Sequence, residues 1–243
     1  MKSFLMTLMA MVAPLTGHAQ VAADPDILDG AFRPGFTTTL PDQQGSVGVQ
    51  VVEAGRLKVT SGRIVAVDPF IYLDAEAFTF QVPPGDYPVR LAVAEVGKDH
   101  YRVALARVDF SDTPATRWEM ALIPGQSLKT LKDKEVYGYG VDAGTGAFGD
   151  VDAFRWLNDR YKGATSSEYE DLSDSWISDG EVEGARHLPH LFLLMPEAGP
   201  ANNIAMFSSG WGDGFYTSWV GYAADGKVTA LVTDFLVIKA TKS

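Results

Sequence analysis

From Gly45 onward the apolar residues recur at every second position, as in VGVQVVEAGRLKVTSGRIVAVDPF, where Val, Leu and Ile are separated by glycine-containing turns. A period of two puts alternate side chains on opposite faces of an extended strand, and a 3.6-residue helix cannot use it. The chain is therefore committed to antiparallel sheet, with Glu53-Ala54-Gly55-Arg56 and Thr60-Ser61-Gly62 as turns. The clearest hairpin pairs Tyr87 to Val96 with Tyr101 to Phe110 across Gly97-Lys98-Asp99-His100, entered through a rigid Pro83-Pro84-Gly85 turn. WEMALIP reads as another strand. HLPHLFLLMP, NNIAMFSSG, GFYTSWVGY and KVTALVTDFLVI read as four closing strands, the last two joined over Ala224-Asp225-Gly226.

The pattern changes once, late in the chain. Phe154, Leu157 and Tyr161 follow helical spacing behind Asp152, which predicts an amphipathic helix capped by that aspartate. A second short helix is expected in the acidic stretch that follows, so that helices enter near residues 152–176. The expected fold is mainly β with some α: one sandwich-like domain of antiparallel sheets over residues 45–243, with no linker and no internal repeat. Residues 20–44 read as an N-terminal extension.

Residues 1–19 carry Lys2, an unbroken apolar run from Phe4 to Leu15, and then Gly17-His18-Ala19. That order predicts a secretory signal peptide cut after Ala19, and hence a secreted or periplasmic protein. The run is too short for a bilayer that needs about 20 residues. The chain has no cysteine, which excludes a disulfide framework and a lipid-modified cysteine. Its formal charge is −11, from 31 acidic and 20 basic residues. Such a chain is a poor partner for nucleic acid or anionic lipid, and stable membrane insertion is not expected. A basic protein partner suits it better. No cofactor is expected, and the residues identify no small-molecule ligand.

Several residues invite a functional reading. In GVDAGTGAFGD, Asp142 and Asp150 surround three glycines, as in phosphate-binding turns, but an exported chain without paired α/β halves gives that reading no context. Asp142, Asp150 and Asp152 are also hard oxygen ligands suited to calcium, although their spacing is not that of an EF-hand. The plainer alternative is that these aspartates accept hydrogen bonds from their own turns. His187 and His190 could hold zinc only with a third ligand. No GxSxG elbow supports a serine triad. In SSGWGDGFYTSWVGY, the carboxylate of Asp213 stands among Trp211, Tyr216 and Trp219, an arrangement open to carbohydrate binding and equally to a turn over an aromatic core.

Taken in order, SGRIVAVDPF, VPPGDYPVRLAV, RVALARVDFSD with RWEMAL, YGVDAGTGAFGD and SSGWGDGFYTSWVGYAADGKVTALVTDF resemble the bacterial family named domain of unknown function 4241. The resemblance runs from about Gly45 to Ile238 and implies no reaction. It marks Asp68, Asp142, Asp150, Asp213 and Asp234 as motif positions, and this chain departs from it in its signal peptide and in an acidic insert near Glu168 to Glu183. Three readings follow. The preferred one is a non-catalytic, exported protein-binding or immunity-like module whose acidic surface meets a basic protein. The second is an envelope-polymer or glycan hydrolase that uses Asp142 or Asp150 with Asp213 as paired carboxylates, which would have to stand about 5 to 9.5 Å apart in a cleft. A calcium-binding β domain is the third. Asp68, Asp234, Trp211, Tyr216 and Trp219 are the candidate ligand-binding residues.

Overall fold

The computed structural model describes residues 23–41, 45–132, 135–162 and 191–239, with a few isolated positions between 164 and 188. Residues 1–19, most of the acidic insert, His187 and His190 lie outside the described residues.

Twelve strands and two short α-helices are bounded among the described residues. In chain order they are α1 (Pro25–Leu28), β1 (Thr37–Thr38), β2 (Val47–Val59), β3 (Ile64–Val67), β4 (Gly85–Gly97), β5 (His100–Asp109), β6 (Arg117–Met120), β7 (Tyr139–Val141), β8 (Thr145–Asp150), α2 (Val151–Tyr161), β9 (Leu193–Leu194), β10 (Ile204–Ser208), β11 (Gly214–Tyr222) and β12 (Val228–Asp234). The large sheet runs β1-β2-β4-β5-β12-β11-β6, with β7 added on β11, and the small one runs β3-β8-β10-β9. Among the described residues every strand pairing is antiparallel and neither sheet closes into a barrel.

Alternation explains how the layers stack. On the small sheet, Ile64, Ala66, Phe148, Ala205 and Phe207 join the main core with the large sheet, while Val65, Val67, Ala147, Ile204 and Met206 join a second cluster with Phe154 and Leu157 of α2. The layers meet where Phe207 of β10 packs edge-on against Phe235, just after β12, at 6.0 Å, each ring backed by a second one on its own sheet, Phe148 at 5.0 Å and Tyr216 at 5.0 Å. Phe154 is 1 % exposed, and burial of a ring that size is worth about 2–3 kcal/mol. The helix is thus held by the small sheet more than by its own eleven residues.

Four features depart from the expectations. Glu53 to Arg56, read as a turn, lies inside the continuous strand β2, where a register shift between Glu53 and Gly55 marks a bulge. The cap of α2 is Asp150, whose side chain accepts from the Asp152 N–H, so Asp152 stands in the first turn and is not the cap. The glycine-rich run after Tyr139 is two strands, and β8 is buried along its whole length. Its glycines make room for rings: a Cβ on Gly149 would lie 2.6 Å from Phe154, and one on Gly146 would lie 2.9 Å from Phe207. Residues 24–41, expected as an extension, pack onto the large sheet through buried Ile27, Leu28, Ala31, Phe32 and Leu40.

Candidate functional site

Asp68, Asp142, Asp150, Asp213 and Asp234 each stand at the end of a strand or in a tight turn, where unpaired backbone N–H groups need acceptors, while Asp152 lies in the first turn of α2. Asp150 is fully buried. Its Oδ2 accepts from the amides of Thr60 at 3.0 Å and Ser61 at 2.8 Å, and its Oδ1 from the Ser61 hydroxyl at 2.8 Å and the Asp152 amide at 2.9 Å. One carboxylate therefore fastens the β2–β3 turn to the start of α2.

Asp68, also fully buried, works the same way at the end of β3. Its Oδ1 accepts from Phe70 N–H at 3.0 Å, and its Oδ2 from Asp142 N–H at 2.9 Å and Ala143 N–H at 2.7 Å. Asp213 reaches the same β7–β8 turn, accepting from Gly144 N–H at 3.1 Å. Asp68, Asp142 and Asp213 thus converge on residues 142–144, where Asp142 contributes its amide and exposes its side chain. Asp150 binds elsewhere. Asp234, at the end of β12, is 4 % exposed and accepts from Leu236 N–H at 2.8 Å. Burial pushes its pKa up to about 6, against the opposing effect of the Leu236 amide. Among the described residues no group of three or more His, Asp or Glu side chains is placed to hold a metal ion.

The Gly-Asp-Gly turn divides its aromatic neighbours. Tyr216 and Trp219 are core residues at 5 % and 4 % exposure. The Tyr216 hydroxyl donates to the Gly212 carbonyl at 2.8 Å, and burial, with Asp213 nearby, raises its pKa to about 12. Trp211 points outward at 54 % exposure, with the Arg102 guanidinium 5.2 Å from its ring centroid and His100 edge-on at 6.2 Å. The expected carboxylate among aromatics is therefore a structural turn bearing one surface tryptophan.

A different concavity lies between the sheets. Ala66 and Val67 of β3, Tyr72 and Phe78 on the following loop, Ala121, Ile123 and Gln126 after β6, Gly138 to Gly140 at β7, and Phe215 and Ser218 of β11 enclose a cleft of about 160 Å³. Its walls are mostly rings, small aliphatic side chains and glycine backbone, with Gln126 and Ser218 as polar members. Glu76 is exposed at its mouth. A Cβ on Gly140 would meet only the Tyr72 ring end, at 3.8 Å, so this glycine leaves open space in the cleft.

A family model described as "Protein of unknown function (DUF4241)" matches residues 57–233. The chain belongs to the DUF4241 family. No curated protein and no solved structure matches it. In this DUF4241 protein the family match takes in the whole cleft and all the turn-binding aspartates except Asp234.

On the far face of the large sheet lies a charged cluster that sequence reasoning did not single out. Arg90 of β4 and Arg107 of β5 are cross-strand neighbours that share Asp109, at 2.6 Å each. Arg107 continues to Asp29 at 3.1 Å and to the Leu28 carbonyl at 3.1 Å, and Trp118 Nε1 donates to Asp29 at 3.0 Å. Both guanidinium groups lie over Phe32, at 5.4 and 5.3 Å. Every charge has a partner, and the cluster pins the segment around α1 to the sheet. Two arginines on one face of a predicted hairpin were the available signal, since charges rarely face a core unpaired.

Proposed function

We propose that this DUF4241 protein is a non-catalytic binding module of an exported compartment, acting on a basic protein partner. The observation that carries the reading is the use made of the carboxylates. Asp68 and Asp150 are buried with both oxygens engaged by turn donors, while Asp213 holds a turn amide. A glycosidase pair needs one carboxyl free to give a proton and a second facing the sugar across a cleft. The cleft between the sheets is lined instead by rings and small aliphatic groups, with Glu76 at its edge.

Charge supports a basic partner. At −11 the chain attracts cationic surfaces, and the attraction raises encounter rates at low salt. Export rests on the order of charge, apolar run and small residues in Met1 to Ala19.

The test compares binding and catalysis on the same preparation. The mature chain should bind a basic protein more tightly than an acidic one of matched size, with the preference shrinking at high salt, and it should release nothing from envelope polysaccharide. Polymer cleavage lost in both Asp142→Asn and Asp213→Asn would refute the reading in favour of the hydrolase. Intact mass from the native compartment should begin at Gln20, and a species retaining residues 1–19 would remove export from the proposal.

A further inference from the structure

Building on the binding reading, we infer that the cleft between the sheets receives one aromatic side chain of the partner, flanked in the partner's sequence by lysine or arginine. Size is the first argument. A dry apolar cavity of about 150 Å³ accommodates a benzene ring, and this one measures about 160 Å³. Phe78, Tyr139 and Phe215 offer a ring the edge and offset contacts that aromatic pairs prefer.

The surroundings of the mouth decide between a free small molecule and a protein segment. Ile71 at 45 % and Leu128 at 46 % are two of the four large apolar side chains exposed among the described residues. They stand on the two loops, 68–78 and 121–130, that form the cleft walls. A ring seated inside would leave both in water, whereas a partner that also packs on these two wall segments covers them. That is the usual anatomy of an interface, with an anchor in a desolvated pocket and further contacts that exclude water around it.

Charge sets the flanking residues. The two loops expose Asp74 and Glu76 against Lys129, and Arg63 and Arg155 line a neighbouring hollow with the same two carboxylates, so the rim itself is close to balanced. The chain's net charge of −11 favours Lys or Arg beside the anchor and disfavours Asp or Glu.

Fluorescence anisotropy with labelled peptides tests the inference on the whole mature chain. The probes are Gly-Lys-Lys-Phe-Lys-Lys-Gly, the same peptide with Ala for Phe, and the same peptide with Glu for every Lys. The first should bind at least about tenfold more tightly than either other, a gap of roughly 1.4 kcal/mol. Gly140→Val places a β-branched side chain in the cleft at a position with room for its Cβ, so it should melt no lower than the parent while the Phe and Ala peptides become equal. Glu76→Lys, at an exposed site, should narrow the preference for Lys over Glu and leave the effect of Phe intact. Equal affinity of the parent for the Phe and Ala peptides would overturn the inference and leave the binding reading standing. Phenethylamine matching the Phe peptide in affinity would overturn the protein source. If the parent binds none of the Lys peptides, both the inference and the reading on which it rests fail.

Discussion

The carboxyl of Asp234 gives the most direct quantitative test of the fold, because its burial costs free energy only when it is ionised. It is 4 % exposed and its pKa stands at about 6 instead of the ordinary 3.8, with burial the main cause. A folded-state pKa above the unfolded one means that the native state holds the proton more tightly. The associated stability is complete below about pH 4, where both states are protonated, and is lost as pH rises through about 6. At 1.36 kcal/mol per tenfold change in proton affinity, the loss is about 3 kcal/mol. Asp234→Asn cannot ionise, and its Oδ1 can still accept the Leu236 amide that holds this residue at φ 59°. Urea unfolding of parent and variant at about pH 4 and about pH 8 isolates the effect, since any pH-independent cost of the amide cancels between the two conditions. The variant should gain about 2–3 kcal/mol on the parent between the acidic and the alkaline measurement. A difference unchanged with pH, or one that moves in the parent's favour as pH rises, would refute the burial argument.

Two further outcomes follow from the turn geometry. Asp150→Ala leaves four donors without their acceptor, two of them amides of the β2–β3 turn, and should cost about 3–5 kcal/mol in urea unfolding. Asp142→Ala, at an exposed side chain, should cost no more than about 0.5 kcal/mol, and equal costs for the two would contradict the assignment. Gly212→Ala and Gly214→Ala should each lower Tm for different reasons: Gly212 has φ +108°, while a Cβ on Gly214 would lie 2.8 Å from the Tyr216 hydroxyl. A variant of either kind melting at or above the parent would show that the turn tolerates a side chain there.

How much of this was legible before folding depended on whether a residue's role was set by its own neighbours in sequence. The β4–β5 hairpin was readable because alternation and a tight turn are local signals, and β11 with β12 was readable on the same grounds. The glycine-rich β8 was not. Gly146 and Gly149 resemble loop residues until Phe207, on a strand far along the chain, and Phe154, on the helix that follows, are seen to need the space beside them. The aspartates were legible as chemically notable and as acceptors for turn amides, but their actual donors were hidden. Asp150 serves Thr60 and Ser61, about ninety residues earlier.

The cleft was the least legible feature, and the reason bears on how binding sites arise in β-rich folds. Its walls come from five separate segments, and in four of them Ala66, Phe78, Ala121 or Phe215 follows the pattern of an ordinary core residue. What makes a cavity is a shortage of volume at one place, where Ala66, Ala121 and Gly140 from three of these segments all leave space that a larger side chain would fill. Close packing ordinarily removes such a gap, because each missing methylene group costs contacts. A Cβ at Gly140 would meet nothing closer than the end of the Tyr72 ring, in contrast to Gly146 and Gly149, where a Cβ would collide with the rings packed beside them. The contrast separates glycines that close packing requires from one whose open side faces the cleft.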